Sequence, residues 1–303
     1  MLRPLANAPR LLGPLLAALA VAVAGPRAQA QGTATSISGI YNTGLSSSGG
    51  LQAGGSTDAN WSVTYASTNG GANPNTAYEG AAYVINPSVV SSSGYTANTS
   101  NAQWIVAPGA YTTTSTSSSQ NAGGNNLPGN GNTGANEGVY IYTLAFTIYG
   151  TGGAGASIPG TNSQIQITMT LAADDQYAVY VNPTGNGNSI PTGTPAASAT
   201  SAWNNTTQIS LQNYGTGTAD NSTFKIGTNY IVVVVDNTNS ITGSSTSTAL
   251  NPSGLLVYET SAAEINGKKV PEVATWLPML GAAGCYGLVV LRRRRTRLHA
   301  ARA

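Results

Sequence analysis

The chain has 303 residues, 37 of them glycine, and its formal net charge is +2. Between Gln31 and Lys269 it holds nine acidic residues against three lysines, a net charge of −6, with no arginine or histidine. This composition excludes a basic nucleic-acid surface from that region, and it excludes a Ser-His-Asp triad, a Cys-His pair and an imidazole zinc site. Cys285 is the only cysteine, so no disulfide can form within the chain.

The first 30 residues are typical of a secretory signal peptide. Arg3 and Arg10 accompany an apolar run over residues 11–24, and Ala28-Gln29-Ala30 forms a small-residue cleavage site. We predict cleavage after Ala30, so that the mature chain starts at Gln31. The alternative is an uncleaved N-terminal membrane anchor.

The middle of the chain predicts β-strands separated by Gly, Pro and Asn clusters. In "SQIQITMTL" (163–171) apolar and polar residues alternate, which is the pattern of a strand with one buried face. The segment "VYIYTLAFTIYG" (139–150) is β-branched and aromatic on both faces and is predicted as a central strand. Shorter strands are predicted at 60–63, 82–85, 103–106, 177–181, 230–235 and 254–258.

No segment of this middle region shows a sustained helical period, so the predicted fold class is all-β. Its length fits a single β-sandwich or jelly roll, which we place at 58–262 after a flexible segment at 31–57. Disorder is the alternative for tracts rich in Gly, Ser and Asn, such as 112–136.

Asp174 and Asp175 are the candidate ligand-binding carboxylates. They precede a predicted strand, and with Asp220 or Asp236 they would offer oxygen ligands to Ca²⁺. The alternative, which we favour, is that they cap backbone turns, because the sequence contains no D-x-D-x-D-G loop. We therefore predict no resident metal or cofactor.

The acidic residues also bear on an enzymatic function. A glycosidase needs two carboxylates at a set separation, and Asp174 or Glu79 would be the candidates. Because acidic residues are few and the sequence does not bring two of them together, we predict that the protein is not an enzyme.

Tryptophan supplies the remaining candidates for a ligand contact. Trp61 and Trp104 lie among apolar strand residues and are predicted to be in the core. Trp203 lies in the polar stretch "SATSAWNNTTQ" and is the candidate for an exposed contact, for example with a sugar ring.

The C-terminal region has three predicted parts. A linker with a short motif occupies 263–275, and residues 276–291 are all apolar, aromatic or small. Sixteen residues would rise about 24 Å as a helix, slightly less than the hydrocarbon core of a membrane. The basic tail at 292–303 would resist translocation and stay in the cytoplasm. Its stop signal is Arg292, Arg293, Arg294 and Arg295.

The order of Val270-Pro271-Glu272, an apolar helix and an arginine cluster resembles the PEP-CTERM sorting signal. Val273 stands where the family has its second proline, so the motif here is a variant, VPEV. In that family a membrane enzyme, exosortase, is thought to cut near the motif and to release or transfer the exported body. The resemblance implies a transient stay in the inner membrane and then a cell-surface or extracellular location. A plain membrane anchor is the alternative.

The middle region also resembles extracellular modules of PEP-CTERM proteins, which look like galactose-binding-type jelly rolls. The resemblance is loose in spacing over Asp58–Tyr258, and inserts at 112–136 and 183–200 lengthen it. The matching segments are Asp58–Trp61, Ala82–Asn86, Gln103–Ile105, Tyr142–Phe146, Ala173–Asp175, Val179–Asn182, Gly227–Asn229, Val235–Asn237 and Pro252–Leu255.

Together these expectations predict a non-enzymatic, exported cell-surface or extracellular-matrix protein, associated with exopolysaccharide or a biofilm. The alternatives are a carbohydrate-binding module on the same sorting tail and a membrane-anchored periplasmic protein. The expected partners are exosortase, the Sec export machinery, the inner membrane and exopolysaccharide, but not nucleic acid.

Overall fold

The computed structural model describes residues 30–68, 73–87, 90, 95–108, 138–174, 176–200, 204–213, 224–237 and 254–270. From Gln31 onward these residues belong to one compact unit. They form thirteen strands, and every pairing between two of these strands is antiparallel. The predicted all-β class is therefore confirmed.

A strand overlaps each of the predicted strand segments, although β5 covers only the last two residues of 103–106, and several short strands are added. In chain order they are β1 (Thr33–Ser38), β2 (Thr57–Thr68), β3 (Asn73–Pro74), β4 (Gly80–Val84), β5 (Ile105–Val106), β6 (Gly138–Thr151), β7 (Ile165–Asp174), β8 (Gln176–Val181), β9 (Ala197–Ala199), β10 (Thr207–Gln212), β11 (Gly227–Asn237), β12 (Gly254–Ile265) and β13 (Lys268–Lys269). Short 3-10 turns lie at Thr76–Tyr78 and Thr184–Gly187.

The strands form one sheet in the order β10-β7-β12-β5-β4-β2-β6-β11-β8-β9. Outside this path, β1 pairs with β6, β13 with β12 and β3 with β2. β11 is paired with β6 along its whole length, from Gly227 opposite Ile148 to Asn237 opposite Gly138. This long pair forms the centre of one half of the sheet.

The sheet curls so that its two ends face each other. β7 ends at Asp174 and β8 begins at Gln176, although the two strands lie near opposite ends of the strand order. Two peptide units span at most about 7 Å, so the ends of these strands are close in space. Inward side chains of both halves accordingly belong to one main core, including Ile167 and Leu256 from one half and Val233 from the other.

In the half of the sheet that contains β2, β6, β11 and β8, successive side chains point to opposite faces. In β6, Leu144 and Phe146 point into the main core. Ile141 points the opposite way and forms a second, small apolar cluster with Val232 and Val234 of β11. We call the surface of β2, β6, β11 and β8 that points away from the main core the outer face.

The prediction of a flexible segment at 31–57 is wrong for its first part, because Thr33–Ser38 forms β1 and pairs with the last residues of β6. The pairing register shifts between Ala34 and Ser36, so a bulge interrupts the alternation of this short strand. A search of the sequence for alternating apolar and polar residues therefore misses β1.

The rest of this segment is tied to the body through Thr43 and Gly44. Thr43 N donates to Val257 O at 2.9 Å, and Gly44 N donates to the carboxylate of Asp58 at 2.6 Å. Burial raises the pKa of Asp58, while hydrogen bonds from the backbone N–H groups of Trp61, Asn60 and Gly44 act in the opposite direction.

The predicted boundary at 262 is also wrong. β12 continues to Ile265, and β13 returns from an Asn-Gly turn, so the first part of the predicted linker at 263–275 belongs to the sheet. Asn266 and Gly267 have φ values of 54° and 71°, as a two-residue hairpin turn requires. The Asn-Gly pair is visible in the sequence and marks this hairpin.

Several predicted segments lie outside the described residues. They are residues 1–29 of the signal peptide, the insert at 112–136, the transmembrane helix at 276–291 and the basic tail at 292–303. In the ranges that are described, no helix is long and apolar enough to span a membrane.

Candidate functional site

A groove on the outer face beside β8 is the candidate ligand-binding site. Val179 and Val181 of β8 point into the main core, while Tyr180 between them packs against the apolar cluster of the outer face. The strand register places Tyr180 opposite Val232 of β11. Tyr180 therefore stands on the outer face, one residue before the end of β8.

The loop 182–196 follows β8 and is fixed at its base by two asparagines. Asn182 has a φ of 48°, a left-handed conformation that asparagine tolerates. Its Oδ1 accepts a hydrogen bond from Tyr230 N at 2.8 Å, and its Nδ2 donates to Asn229 Oδ1 at 2.8 Å. Asn229 is buried and donates to Lys225 O at 2.7 Å. Side-chain hydrogen bonds therefore hold the base of the loop against β11.

The middle of the loop lies against the outer face at Gly187. The Thr64 hydroxyl donates to Gly187 O at 2.9 Å, and the hydroxyl oxygens of Thr64 and Thr143 are 2.8 Å apart. Gly187 has a φ of 89°, and a Cβ there would lie 2.7 Å from Thr143 Oγ1 and 3.3 Å from Ile141 Cγ2. Both the conformation and the close approach require glycine at this position.

The loop returns to β8 through β9. Ala196 N donates to Val179 O at 2.7 Å, and Ala197–Ala199 then pairs with β8. Hydrogen bonds therefore fix the base, the middle and the return of the loop, and the groove that it forms with β8 is preformed.

The groove is open to solvent and has a volume of about 380 Å³, within the range of small-molecule sites. None of the described residues that line it carries a charge. Burial raises the pKa of the Tyr180 phenol, so this side chain is neutral at physiological pH. The lining combines apolar and hydroxyl groups, including Tyr180, Pro183, Thr184, Ser189, Ile190 and Thr192.

Asp174, a predicted ligand contact, lies in the interior of the fold. Its side chain is 4% exposed, and its Oδ2 accepts a hydrogen bond from the Tyr95 hydroxyl at 2.8 Å. The Tyr95 ring lies edge-on to Trp104, with 4.6 Å between the ring centroids. The Asp174 carboxylate therefore ties segment 95–104 to β7. A contact between positions so far apart along the chain has no signal in the sequence.

Two of the remaining acidic candidates, Asp236 and Glu79, lie within the described residues. Asp236 is paired with Gln176, so it lies at the same end of the body as Asp174. Its Oδ1 is buried without a hydrogen-bond partner among the described residues. Glu79 N donates to Thr76 O after a 3-10 turn. Across the part of the chain that the structure describes, no three Asp, Glu, His or Cys side chains gather as a metal site.

Three predicted site residues lie outside the described residues, namely Asp175, Asp220 and Trp203. Of the two carboxylates that the sequence suggested as partners of Asp174 and Asp175, Asp236 is the one whose position the structure describes, and it is paired with Gln176 at the start of β8.

The predicted core positions of Trp61 and Trp104 are confirmed, because both side chains are buried. Trp61 Nε1 donates to Tyr41 O at 2.9 Å, and Trp104 Nε1 donates to Thr96 O at 2.7 Å. Each indole N–H thus has a partner within the fold. These rings stabilise the core and are not on the surface.

Val270, the first residue of the predicted sorting motif, is the last described residue. Its N–H donates to Ala263 O at 2.7 Å, and its side chain packs against the main core. The rest of the motif, Pro271 and Glu272, and the arginines at 292–295 lie outside the described residues.

The groove was not predicted from the sequence. Residues 177–181 were predicted as a strand and 183–200 as an insert, but neither prediction says where the insert packs. The contact that places the loop joins Thr64 and Gly187, which are 123 positions apart. The available local signal was the Asn182-Pro183 pair with Gly185 two residues after the proline, which marks a turn.

Comparison with known proteins adds little to this geometry. No protein-family model matches the chain, and no curated protein matches it significantly. Among solved structures, an arabinose-bound α-L-arabinofuranosidase aligns at 12% identity with a TM-score of 0.21. The alignment covers 78% of this chain and 31% of the arabinofuranosidase chain. A similarity this low carries no argument about the fold or the function.

Proposed function

We propose that this protein is an exported, non-enzymatic cell-surface or extracellular-matrix protein, released from a C-terminal sorting signal of the PEP-CTERM type. Export would use the Sec machinery, and the apolar segment at 276–291 would hold the chain in the inner membrane until exosortase acts near Val270-Pro271-Glu272. After release, the body would lie in the exopolysaccharide outside the cell.

The observation that carries this proposal is the position of the fold between the two predicted signals. Gly32 N donates to Ser157 O at 2.8 Å, and β1 begins at Thr33, directly after the predicted cleavage site at Ala30. At the other end, β13 and Val270 are the last described parts of the body, and Pro271 follows Val270 in the sequence. Removal of both signals would therefore take no described strand from the sheet.

We further propose that the curled sheet is a single β-sandwich of the jelly-roll type. The one-residue connection between β7 and β8 supports this, because it joins strands from the two ends of the sheet. The main core, shared by inward residues of both halves, supports it as well. The proposed non-enzymatic role rests on the composition of 31–269, which has no arginine, histidine or cysteine.

The sorting proposal is tested by changing the motif and following the chain in cell fractions. A variant with Pro271→Ala and Glu272→Ala is expected to stay in the inner-membrane fraction, whereas the wild-type body leaves it. The matched control is Lys268→Ala with Lys269→Ala, which changes two exposed residues just before the motif. Release of the motif variant at the wild-type rate would overturn the proposal.

A further inference from the structure

We infer that the groove between β8 and loop 182–196 binds a neutral saccharide. The inference is carried by the shape and chemistry of the groove alone and does not depend on how the protein is sorted. It would remain valid for a protein that stays anchored in the membrane.

The charge of the groove sets the class of ligand. The described lining holds no Asp, Glu, Lys, Arg or His, so no group is present to pair with a charged ligand. The surrounding region from Gln31 to Lys269 has a net charge of −6, which disfavours acidic polymers. A neutral ligand is the one that these surroundings accept.

The lining matches the two kinds of surface that a sugar ring presents. A pyranose ring has an apolar C–H surface and a rim of hydroxyl groups. Tyr180 and Ile190 supply apolar contact area, and Ile190 is 42% exposed, which is unusual for a large aliphatic residue of this fold. Thr184, Ser189 and Thr192 supply hydroxyls that can each donate and accept a hydrogen bond. Such a mixture of apolar and hydroxyl groups suits a polyol better than a purely apolar ligand.

The fixed loop reduces the entropy that binding would cost. Loop 182–196 is already held by the hydrogen bonds of Asn182, Gly187 and Ala196, so little conformational entropy of the loop is lost when a ligand binds.

The test is a titration of the full chain, kept in a detergent without a sugar head group, with neutral and acidic oligosaccharides of matched length. Maltohexaose and cellohexaose serve as neutral probes and oligogalacturonate as the acidic probe. Saturation-transfer NMR and calorimetry report binding. We expect binding of at least one neutral probe and much weaker binding of the acidic one.

Substitutions in the lining locate the binding site. Ile190→Ala and Thr192→Glu are expected to weaken binding roughly tenfold or more, through lost contact area and an added charge respectively. Tyr149→Ala is the control. Tyr149 is a 50% exposed residue of β6 in the same sheet, but it does not line the groove. Circular dichroism checks that each variant is folded.

Three results would overturn the inference. They are no binding of either neutral probe at millimolar concentration, equal or tighter binding of the acidic probe, and binding that Ile190→Ala and Thr192→Glu leave unchanged. Ile190 and Thr192 are both exposed, so their substitution should leave the fold intact. A loss of binding in these variants would therefore report on the groove and not on unfolding.

Discussion

The two faces of β6, β11 and β8 differ in what covers them. The inner face packs against the other half of the curled sheet, and Phe146 there lies edge-on to Phe224, with 6.3 Å between the ring centroids. The outer face is crossed by the loop 182–196, which reaches Thr64 of β2, and it is exposed at Tyr149. The same three strands thus hold the fold together on one side and present a groove on the other.

This difference separates the contacts that hold the core together from those that hold the loop beside the groove. The inner face depends on apolar area that is removed from water. On the outer face, a few hydrogen bonds from Thr64, Asn182 and Asn229 hold the loop 182–196 in place. Substitutions on the inner face should therefore lower the free energy of unfolding, whereas substitutions at the loop should change the shape of the groove.

The largest effect is expected for Phe146→Ala on the inner face. Truncation of a buried phenylalanine leaves a cavity and should lower the free energy of unfolding by about 3–5 kcal/mol. Tyr149→Ala changes an aromatic residue of the same strand on the open face and should cost less than about 0.5 kcal/mol. Urea unfolding of both variants measures the contrast. Equal losses of stability would show that the two faces are not distinguished as described.

Gly187→Ala should have an intermediate effect that falls mainly on the loop. The added Cβ would contact Thr143 Oγ1 and would occupy a left-handed conformation, which together cost about 1–3 kcal/mol. Gly193→Ala is the control in the same loop, because a Cβ there has nothing within 4 Å. Hydrogen exchange should become faster at the amides of the loop and remain unchanged in β6 and β11. A uniform increase across the sheet would contradict the loop's separate role.

A smaller effect, confined to alkaline pH, is expected for Tyr78 at the inner side of the fold. Burial raises the pKa of Tyr78 to about 12, above its ordinary value near 10. The stability that this group contributes is present below about pH 10 and is lost as the pH rises through about 12. The free energy of unfolding of Tyr78→Phe should therefore decline less over this interval than that of the wild type. The same slope in both proteins would argue against a buried Tyr78.

The smallest effect, and one of opposite sign, is expected for Tyr140→Phe. The Tyr140 hydroxyl is buried and has no hydrogen-bond partner among the described residues, and its ring lies 6.3 Å from that of Tyr78. Removal of an unpaired buried hydroxyl should leave stability unchanged or raise it by up to about 1 kcal/mol. Thermal unfolding measures this. A clear loss of stability would mean that the hydroxyl has a partner, such as an internal water.

The long strands could be predicted from the sequence because their side chains follow a local rule. β7 alternates apolar and polar residues, and β6 and β11 are runs of β-branched and aromatic residues. The strands β1 and β10 were not predicted, because β1 contains a bulge and β10 is a short, polar edge strand. The way in which the sheet curls could not be predicted either, since it depends on how two distant halves of the sheet pack against each other.

The candidate site could be predicted even less. Tyr180 was recognised as a strand residue, but the loop beside it is placed by Thr64 and Asn229, which belong to other strands. Asp174 was singled out for its carboxylate, and the structure pairs that group with the buried Tyr95. Polar residues in this chain are therefore poor guides to function until their partners are known.

The central claim is that the β body between the two predicted signals is the form that reaches the cell surface. Intact-mass measurement of the protein recovered from the outer surface tests it most directly, because one spectrum defines both ends of the chain. The account predicts a chain that begins at Gln31 and ends shortly after Val270, without the arginines at 292–295. A surface protein that still ends at Ala303 would contradict it and would favour a plain membrane anchor.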